Sequence, residues 1–369
     1  MKALCKHRQI YQTLVTEIVD GRYDATGRLP SEAQLMRRFG VSRPTAARAL
    51  RDLQSEGVVE RRVGAGSFLI NGVKPSNAET SRHLGILLPD IGITELLAAF
   101  CGELARLTRA NDYGLFWANS QSGADLTTKD ADQVCAHFID RSVRGVFFAP
   151  FEFAPDKDEV SKRIAYRLRR AGVAVVLLDR DLTPFPSRSD FDLIGIDNAM
   201  AGYLACEHLI KLGNRRIAFV ARPLSAPTVL ARMIGARNAL FDAGLEIPKD
   251  FYRIGNPRDA KFVRELTLGR KVDAVICAND LTAAQLMNSL AKLKMRVPED
   301  MRLIGFDNLE YAELLAVPLT TIAQPYREMA SNAMRAMRSR LSDPSLPPTT
   351  LLSTPSIVVR SSCGAFLQR

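Results

Sequence analysis

The chain has 369 residues, of which 47% are hydrophobic and 24% are charged, and its formal net charge is +10. This length suits two or three domains, and the composition excludes a chain that is mainly disordered. No stretch of about 18 uncharged apolar residues occurs, so we expect no membrane span. The basic N-terminus is not followed by an apolar segment, so we expect no secretion signal.

The positive charge is concentrated at the N-terminal end of the chain. Residues 1–74 contain 13 lysines and arginines against 7 aspartates and glutamates, whereas the remaining residues contain 37 against 33. A small basic module joined to a larger, almost neutral one is typical of nucleic-acid-binding proteins. An ordinary solvated basic surface would give the same counts, so the charge alone leaves both interpretations open.

The first part of the chain contains signals for two helices. An apolar stripe at four-residue spacing predicts a first helix over about residues 7–20, which Gly21 ends. Ser31 and Gln34 form a capping box, in which each side chain hydrogen-bonds the backbone of the other residue. They begin a second predicted helix, which stops at Gly40.

A third helix is predicted to begin after Ser42, which suits an N-cap. On a helical wheel its apolar residues fall on one side, while Arg43, Arg48 and Arg51 fall on the other, with Thr45 at the edge. Exposed arginines at a helix N-terminus match what reading the DNA major groove requires, because their forked donors fit guanine. An ordinary solvated helix face is the alternative for these arginines taken alone.

Two short predicted strands, 58–63 and 67–70, follow the third helix. Three helices and a hairpin, in this order, make a winged helix. Several motifs support this arrangement: Leu29-Pro-Ser-Glu, Phe39-Gly-Val-Ser-Arg-Pro-Thr, Ala49-Leu-x-x-Leu, Glu56-Gly-Val and Gly64-x-Gly-Ser-Phe. With these motifs the segment resembles the GntR-type winged-helix DNA-binding domain over nearly all of residues 7–70.

The resemblance implies that the third helix and the wing contact double-stranded operator DNA. Two positions depart from the family, because Ala47 and Ala65 stand where basic residues are usual. Arg48 is the neighbour that can replace the first of them. The predicted DNA-binding residues are Ser42, Arg43, Thr45, Arg48, Gly64 and Gly66.

Residues 71–82 are polar and lack apolar periodicity, so they are predicted to be a linker between a domain of residues 1–70 and one of residues 83–369. Beyond the linker, short apolar runs alternate with helical stretches, which predicts parallel βαβ units in two lobes. The predicted strands are 84–88, 114–118, 145–149, 173–178, 193–196, 216–220, 274–277 and 303–306.

Polar residues follow several of these strands, among them Asp90, Asp179, Asn279 and Asp307. In open parallel sheets a ligand lies beyond the carboxyl ends of the strands, and a carboxylate there can accept two neighbouring hydroxyls of a polyhydroxylated ligand. Each residue also suits a turn or a helix N-cap, which is the structural alternative. Their repetition at one edge favours a ligand cleft.

Motifs along this second part recur in a known order: His83-Leu-Gly-Ile-Leu-Leu-Pro-Asp, Val176-Leu-Leu-Asp-Arg, Ile196-Asp-Asn-x-x-x-Gly, Ala278-Asn-Asp, Ile304-Gly-Phe-Asp-Asn and Pro318-Leu-Thr-Thr-Ile. It resembles the effector-binding core of LacI/GalR-type repressors, which is similar to periplasmic sugar-binding proteins. The resemblance implies an α/β fold with two lobes, each built on a doubly wound parallel sheet. One lobe would comprise about 83–182 and 320–345, and the other about 190–318 and 346–369.

By the same resemblance, an arginine at a helix start, the Asn of the Asn-Asp pair and the Asp after a Gly-Phe strand hold the effector. Other rim positions and an apolar wall complete the site. The predicted effector-binding residues are Asp90, Phe151, Asp179, Arg232, Asn279 and Asp307.

No nucleotide-binding, metalloprotease or hydrolase motif occurs, and the four histidines and six cysteines are scattered. We therefore expect no catalytic residues, no metal and no cofactor. The cysteine spacing predicts reduced thiols in the cytoplasm.

These observations predict a bacterial transcriptional regulator that is not an enzyme. It is expected to be a homodimeric repressor that binds operator DNA through its winged helix and responds to a small effector, a sugar. A nucleoside or another non-sugar effector is an alternative. A further alternative is a sugar-binding module that does not bind DNA.

Overall fold

The computed structural model describes residues 6–19, 23, 27–55, 58–62, 66–69, 83–88, 94–117, 126–184, 186–267 and 272–367. Contacts between residues divide the chain into two compact units, Met1–Ser81 and Arg82–Arg369, which we call the N-terminal unit and the core unit. Three predicted features lie outside the described residues, namely the linker 71–82, Gly64 and Asp90.

The N-terminal unit consists of three helices and a two-stranded antiparallel sheet. Its elements are α1 (Lys6–Val19), α2 (Glu32–Phe39), α3 (Arg43–Ser55), β1 (Val59–Arg62) and β2 (Gly66–Leu69). The predicted winged-helix order is therefore confirmed. Buried apolar side chains from all three helices pack into one cluster, with Leu14, Leu35, Leu50 and Leu53 fully enclosed.

The predicted capping box begins α2. The Gln34 amide donates to Ser31 Oγ at 3.3 Å, and the Ser31 amide donates to Gln34 Oε1 at 2.7 Å. The helix ends at Gly40, whose φ of 58° lies in the left-handed region that a glycine adopts without steric cost. The chain then turns directly into α3.

The core unit alternates strands and helices, as predicted for parallel βαβ units. Its strands are β3 (His83–Leu87), β4 (Gly114–Trp117), β5 (Gly145–Phe148), β6 (Ala174–Leu178), β7 (Asp192–Ile196), β8 (Ile217–Ala221), β9 (Tyr252–Ile254), β10 (Ala274–Cys277), β11 (Arg302–Asp307), β12 (Thr320–Ala323), β13 (Thr350–Ser353) and β14 (Ser356–Val358). Its helices are α4 (Thr94–Ala110), α5 (Ala131–Asp140), α6 (Lys157–Arg170), α7 (Asn198–Lys211), α8 (Pro227–Asp242), α9 (Ala260–Thr267), α10 (Asp280–Lys292), α11 (Glu310–Leu314) and α12 (Tyr326–Ser342). Among the described residues, no helix is long and apolar enough to cross a membrane.

The strands form two six-stranded sheets. The sheet of lobe one has the order β4-β3-β5-β6-β7-β13, and all its neighbouring strands are parallel. The sheet of lobe two has the order β9-β8-β10-β11-β12-β14, in which only β14 runs antiparallel to its neighbour. The predicted α/β fold with two lobes is confirmed.

The predicted lobe boundaries are wrong at three strands. Strand β7, which the sequence assigned to lobe two, pairs with β6 in lobe one, and β13 pairs with β7 in the same sheet. Strand β12, which the sequence assigned to lobe one, pairs with β11 in lobe two. The chain thus crosses between the lobes after each of these strands. An apolar run marks a strand, but its ladder partner depends on long-range hydrogen bonds that a local pattern does not contain.

Helices α7 and α8 of lobe two pack with their backbones in direct contact. A Cβ atom on Gly202 would lie 1.8 Å from the Arg232 carbonyl oxygen, and one on Gly235 would lie 1.8 Å from the Ala199 carbonyl oxygen. Only residues without a side chain permit this approach. The contact fixes α8, which carries Arg232, against the start of α7.

Candidate functional site

A cleft lies at the carboxyl ends of the strands of both lobes. Its empty volume is about 850 Å³, including the open mouth, which is within the range of small-molecule sites. The lining residues are Leu88, Phe100, Ala149, Glu152, Phe153, Leu178, Asp179, Arg180, Ser225, Ala226, Thr228, Val229, Arg232, Ala278, Asn279, Asp307, Gln324, Tyr326 and Met329. The wall is largely apolar, with a few convergent polar groups.

Arg232 and Asp307 form the polar centre of lobe two's side of the cleft. Arg232 Nε donates to Asn198 Oδ1 at 2.9 Å, Nη1 donates to the Ala278 carbonyl at 2.7 Å, and Nη2 lies 3.8 Å from Asp307 Oδ1. Its guanidinium carbon also lies 4.7 Å from the centroid of the Phe306 ring. These contacts hold the arginine in one orientation.

Asp307 is buried, and its Oδ1 accepts a hydrogen bond from Gln324 Nε2 at 2.8 Å. Burial raises the pKa of Asp307 to about 7, although the Arg232 guanidinium acts to lower that pKa. The carboxylate is therefore close to its titration point near neutral pH. Tyr326 donates its hydroxyl to the Asp307 carbonyl at 3.0 Å and fixes the backbone there.

A second buried carboxyl, Asp280, lies at the start of α10 and does not line the cleft. It accepts hydrogen bonds from the Leu309 amide at 2.9 Å and from Thr321 Oγ1 at 2.6 Å. Burial, with a smaller contribution from the nearby Asp307 charge, raises the pKa of Asp280 to about 8. It joins the ends of β11 and β12, and so supports the backbone that carries Asp307.

Lobe one contributes a second cluster of charges. Arg180 Nε donates to the Pro150 carbonyl at 2.6 Å, and its Nη1 lies 2.8 Å from Asp179 Oδ2 and 3.6 Å from Glu152 Oε1. The arginine and Glu152 are buried, whereas Asp179 is partly open to the cleft. The arginine thus holds two carboxylates at the rim.

The two lobes touch along one side of the cleft. The Phe153 amide donates to the Leu224 carbonyl at 3.0 Å, and the Ala226 amide donates to Glu152 Oε2 at 3.2 Å. The Arg222 guanidinium stacks on the Phe153 ring, 3.8 Å from its centroid. These contacts join the loop after β5 to the loop before α8.

The structure brings together four of the predicted effector residues, Asp179, Arg232, Asn279 and Asp307, at this cleft. Asn279 is also a helix N-cap, which was the structural alternative for these residues. Its Oδ1 caps α10 by accepting from the Thr282 amide at 2.9 Å, and the residue still lines the cleft.

The prediction for Phe151 is wrong. Phe151 is 4% exposed and packs in the hydrophobic core of lobe one, where its ring makes an edge contact with Phe148. Phe153, two residues later, lines the cleft instead. A strand's alternation does not continue through an irregular loop, and the positive φ of 57° at Phe153 redirects the chain there.

Sequence reasoning did not single out several lining residues. They are Phe100, Glu152, Phe153, Gln324 and Tyr326. Arg180 also lines the cleft, and the sequence indicated it as a polar residue beside Asp179 at a strand end. Gln324 and Tyr326 follow β12, a strand that the apolar pattern did not reveal.

The predicted DNA-contacting residues of α3 lie on the surface of the N-terminal unit. Arg43 is 78% exposed, and Arg48 and Ser42 are exposed as well. The hydroxyls of Ser42 and Thr45 are 2.9 Å apart and hydrogen-bonded at the helix start. Gly66 begins β2 with a φ of 118°, a conformation that favours glycine.

Glu32 of α2 connects this surface to the wing. Its Oε2 accepts from Arg43 Nε at 3.0 Å, and its Oε1 accepts from Arg61 of β1. The Arg43 hydrogen bond is the main cause that lowers the pKa of the Glu32 carboxyl, so the group is ionised at neutral pH. One carboxylate thus holds an arginine from the helix and another from the wing.

Within the described parts of the chain, no cluster of His, Cys, Asp and Glu suits a metal ion.

Comparisons with known proteins agree with both units. Residues 6–69 match the family model of bacterial regulatory proteins of the gntR family, and residues 206–363 match that of the periplasmic binding protein-like domain. The N-terminal unit is a GntR-type domain, and the core unit contains a periplasmic binding protein-like domain.

Two curated relatives of this chain are named transcriptional repressors. It is 29% identical over 255 residues to the HTH-type transcriptional repressor PurR of Mannheimia succiniciproducens, covering 68% of this chain and 72% of the relative. It is 23% identical over 374 residues to the arabinose metabolism transcriptional repressor of Geobacillus stearothermophilus, covering 98% of each chain.

The solved structure of the transcriptional regulator CelR in complex with cellobiose superimposes on this chain with a TM-score of 0.64. The match covers 87% of this chain and 91% of the other, at 24% identity. This likeness supports the fold of both units.

Proposed function

We propose that the chain is a transcriptional repressor whose operator binding is controlled by a sugar. The observation that carries this proposal is that one chain combines a GntR-type winged helix with a cleft that has carboxylates from both lobes at its strand ends. The names of the relatives point the same way, because one is an arabinose metabolism repressor and another regulator binds cellobiose.

In this proposal, α3 enters the major groove of double-stranded operator DNA. Arg43 and Arg48 offer forked donors to guanine or phosphate, while Ser42 and Thr45 bind phosphate at the helix N-terminus. Gly64 and Gly66 let the wing backbone approach the minor-groove side closely. These contacts would supply both the affinity and the orientation of the winged helix.

The effector would lie among Asp179, Arg232, Asn279 and Asp307, with Asp90 as a further rim residue. Each carboxylate can accept hydrogen bonds from two neighbouring hydroxyls, and the Asn279 amide can donate to one. Phe100 and Phe153 offer apolar surface to the C–H face of a sugar ring. Sugars present both kinds of surface.

We further propose that the protein is a cytoplasmic homodimer. Two winged helices related by a two-fold axis read two half-sites at a fixed spacing, so a small change of dimer shape alters the fit to the operator. A sugar can shift the equilibrium between two shapes of the dimer only to the extent that it binds one shape more tightly than the other. Repression and release would then follow from one equilibrium.

The proposal is tested by selecting bound duplexes from a library of genomic fragments and titrating the selected operator with the protein. We expect sequence-specific binding that weakens steeply with salt, because phosphate contacts release counterions. A panel of pentoses, hexoses and nucleosides is then added to the complex, and a sugar is expected to release it. Binding that is neither sequence-specific nor salt-dependent would contradict the DNA-binding role.

A further inference from the structure

We infer that the effector of this cleft is an electrically neutral polyhydroxylated molecule, and that the cleft rejects sugar phosphates, sugar acids and nucleotides. The inference rests on the proposed function, because it concerns the effector that the proposed repressor takes. Its basis is the way in which protein groups already occupy the two arginines of the cleft and the starts of two helices beside it.

The first step is the balance of charges. Among the described residues that line the cleft, the ionisable ones are three carboxyls and two arginines: Glu152, Asp179, Asp307, Arg180 and Arg232. These described lining residues together carry a net charge of −1 when the three carboxyls are ionised, and they become neutral when Asp307 is protonated.

The second step is that Arg180 is committed to protein acceptors. Its Nε donates to the Pro150 carbonyl at 2.6 Å, and its Nη1 is shared between Asp179 at 2.8 Å and Glu152 at 3.6 Å. Its side chain is only 8% exposed. A phosphate would have to displace a carboxylate that stays nearby, so the exchange gains little attraction and adds repulsion.

Arg232 is committed in the same way on the other lobe. Asn198 Oδ1 and the Ala278 carbonyl accept hydrogen bonds from it at 2.9 and 2.7 Å, and Asp307 Oδ1 lies 3.8 Å from its Nη2 as an ion-pair partner. The side chain is 5% exposed. Its remaining N–H groups can donate to a hydroxyl, which brings no net charge into the buried site.

The third step concerns two helix N-termini at the cleft, those of α8 and α10, because helix N-termini are another common anion site of proteins. At the start of α8, the Ala226 amide donates to Glu152 Oε2 at 3.2 Å. At the start of α10, the Thr282 amide donates to Asn279 Oδ1 at 2.9 Å. In both places an oxygen of the protein already takes the position that a phosphate oxygen would need.

A neutral polyol meets the opposite conditions. Asp179 and Asp307 are acceptors that face the cleft, and hydroxyl groups are donors that satisfy them without adding charge. An anion of the same shape places its charge beside these carboxylates. Like charges brought together in this way repel each other, so we expect at least about 100-fold weaker binding of the anion.

The experiment compares matched pairs of ligands with the full chain by calorimetry. The pairs are D-ribose, D-glucose, L-arabinose and adenosine, each beside its phosphate ester, together with D-glucuronate beside D-glucose. The expected result is that at least one neutral compound binds and that its anionic counterpart binds at least about 100-fold more weakly. An anionic compound that binds as tightly as its neutral partner would overturn the inference while leaving the sugar-controlled repressor intact. If no compound of either series binds, the proposed effector class fails and the inference fails with it.

A variant tests whether the arrangement of charges in the cleft causes the preference for neutral ligands. Asp179→Asn removes one carboxylate charge and one partner of Arg180, and asparagine tolerates the left-handed φ of 66° at this position. We expect the preference for the neutral ligand to fall by roughly five-fold or more. The matched control is Glu159 of α6, whose side chain is 85% exposed and does not line the cleft. Glu159→Gln makes the same charge change and should leave the preference for the neutral ligand unchanged. If the preference stays the same in both variants, the charge argument is wrong. The comparison of ligand pairs on the unaltered chain does not depend on either variant.

Discussion

Asp179 and Asp307 share an unusual backbone conformation at the ends of strands in the two lobes. Their φ angles are 66° and 111°, in the region that side-chain-bearing residues rarely adopt. Such conformations cost about 1–3 kcal/mol each and persist where the surroundings enforce them. Here the Asp179 amide donates to the Ile194 carbonyl at 2.7 Å, and Tyr326 holds the Asp307 carbonyl. The strain turns both carboxylates toward one cleft, which supports their proposed role.

The pH dependence of stability gives a test of the Asp307 environment. Its pKa of about 7 in the folded chain lies above the ordinary value of 3.8, so at intermediate pH the folded state holds a proton that the unfolded state has lost. The free energy of unfolding therefore falls as pH rises from about 4 to about 7, by about 1.4 kcal/mol per pH unit for each such group. Asp280, with a pKa of about 8, adds to the same slope.

We expect Asp307→Asn to reduce this slope by about one proton in urea unfolding experiments between about pH 5 and about pH 7. Trp117 is the single tryptophan of the chain and lies on β4, so its fluorescence reports on the core unit. Glu159→Gln, whose carboxyl is exposed, should keep the slope of the unaltered chain. Equal slopes in all three proteins would show that Asp307 is not buried in its acidic form.

In the proposed function, Arg43 is a main contact of α3 with operator DNA. Arg43→Ala is expected to weaken binding to the selected operator by about 1–3 kcal/mol, because a forked base or phosphate contact is lost. Arg37→Ala removes the same charge from the exposed side of α2 and should have a smaller effect. Fluorescence anisotropy measures the affinity of both variants for the operator and for a scrambled duplex. Undiminished operator affinity in Arg43→Ala would show that α3 is not the reading helix.

At the scale of elements, close helix contacts and ion pairs between elements position the residues that we propose to bind DNA and the effector. Helices α7 and α8 approach through Gly202 and Gly235, and this contact positions Arg232 over the cleft. In the N-terminal unit, Glu32 joins α2 to both α3 and the wing. Neither arrangement depends on one element alone.

Gly235→Ala is expected to destabilise the core unit by about 1–3 kcal/mol or more, because the added methyl meets the Ala199 backbone and the helices must separate. Gly102→Ala on α4 is the matched control, since no atom lies within 4 Å of its added Cβ. This control should be neutral or stabilising by up to about 1 kcal/mol, as alanine favours helices over glycine. Urea unfolding followed by Trp117 fluorescence compares the two. Similar stability of both variants would exclude the close crossing of α7 and α8.

Glu32→Gln separates charge from positioning in the N-terminal unit. Loss of a negative charge should tighten binding to any duplex, whereas loss of the shared ion pair should loosen Arg43 and Arg61. We therefore expect the ratio of operator affinity to scrambled-duplex affinity to fall by roughly five-fold, or about 1 kcal/mol. Glu60→Gln removes the same charge from a carboxylate that pairs with Arg62 and should preserve the ratio. A ratio unchanged in both variants would mean that Glu32 has no positioning role.

At the scale of the whole molecule, the two proposed activities lie in different units of the chain. The residues proposed to bind DNA belong to Met1–Ser81, and those proposed to bind the effector belong to Arg82–Arg369. The effector can change operator affinity only as much as its own affinity differs between the DNA-bound and the DNA-free protein. A change in the cleft should therefore remove the response and leave DNA binding unaltered.

Arg232→Met provides this test, because it removes the buried donors and keeps much of the side-chain volume. We expect operator affinity without effector to stay within about two-fold of the unaltered chain, and release by the effector to disappear. Melting curves check that the core unit remains folded, since removing one partner of a buried ion pair can cost about 3–5 kcal/mol. Retained release by the sugar would show that it binds elsewhere.

Local sequence signals determined the elements and much of the chemistry. The capping box at Ser31 and Gln34, the arginine face of α3 and the apolar runs of β5 and β10 depend on neighbours within a few residues, so periodicity and capping rules reveal them. The Asp and Asn residues after strands are predictable for the same reason, because every parallel strand directs its carboxyl end to one edge.

The tertiary structure decided which of these elements are neighbours. The lobe membership of β7, β12 and β13, the burial of Phe151 and the presence of Glu152 and Gln324 in the cleft all depend on contacts between residues far apart in the chain. The pairing of Arg180 with two carboxylates is likewise invisible in a strand pattern. Strand pairing and the loops that cross between lobes are set by the packing of the whole core, whereas periodicity records only which side of each element is buried.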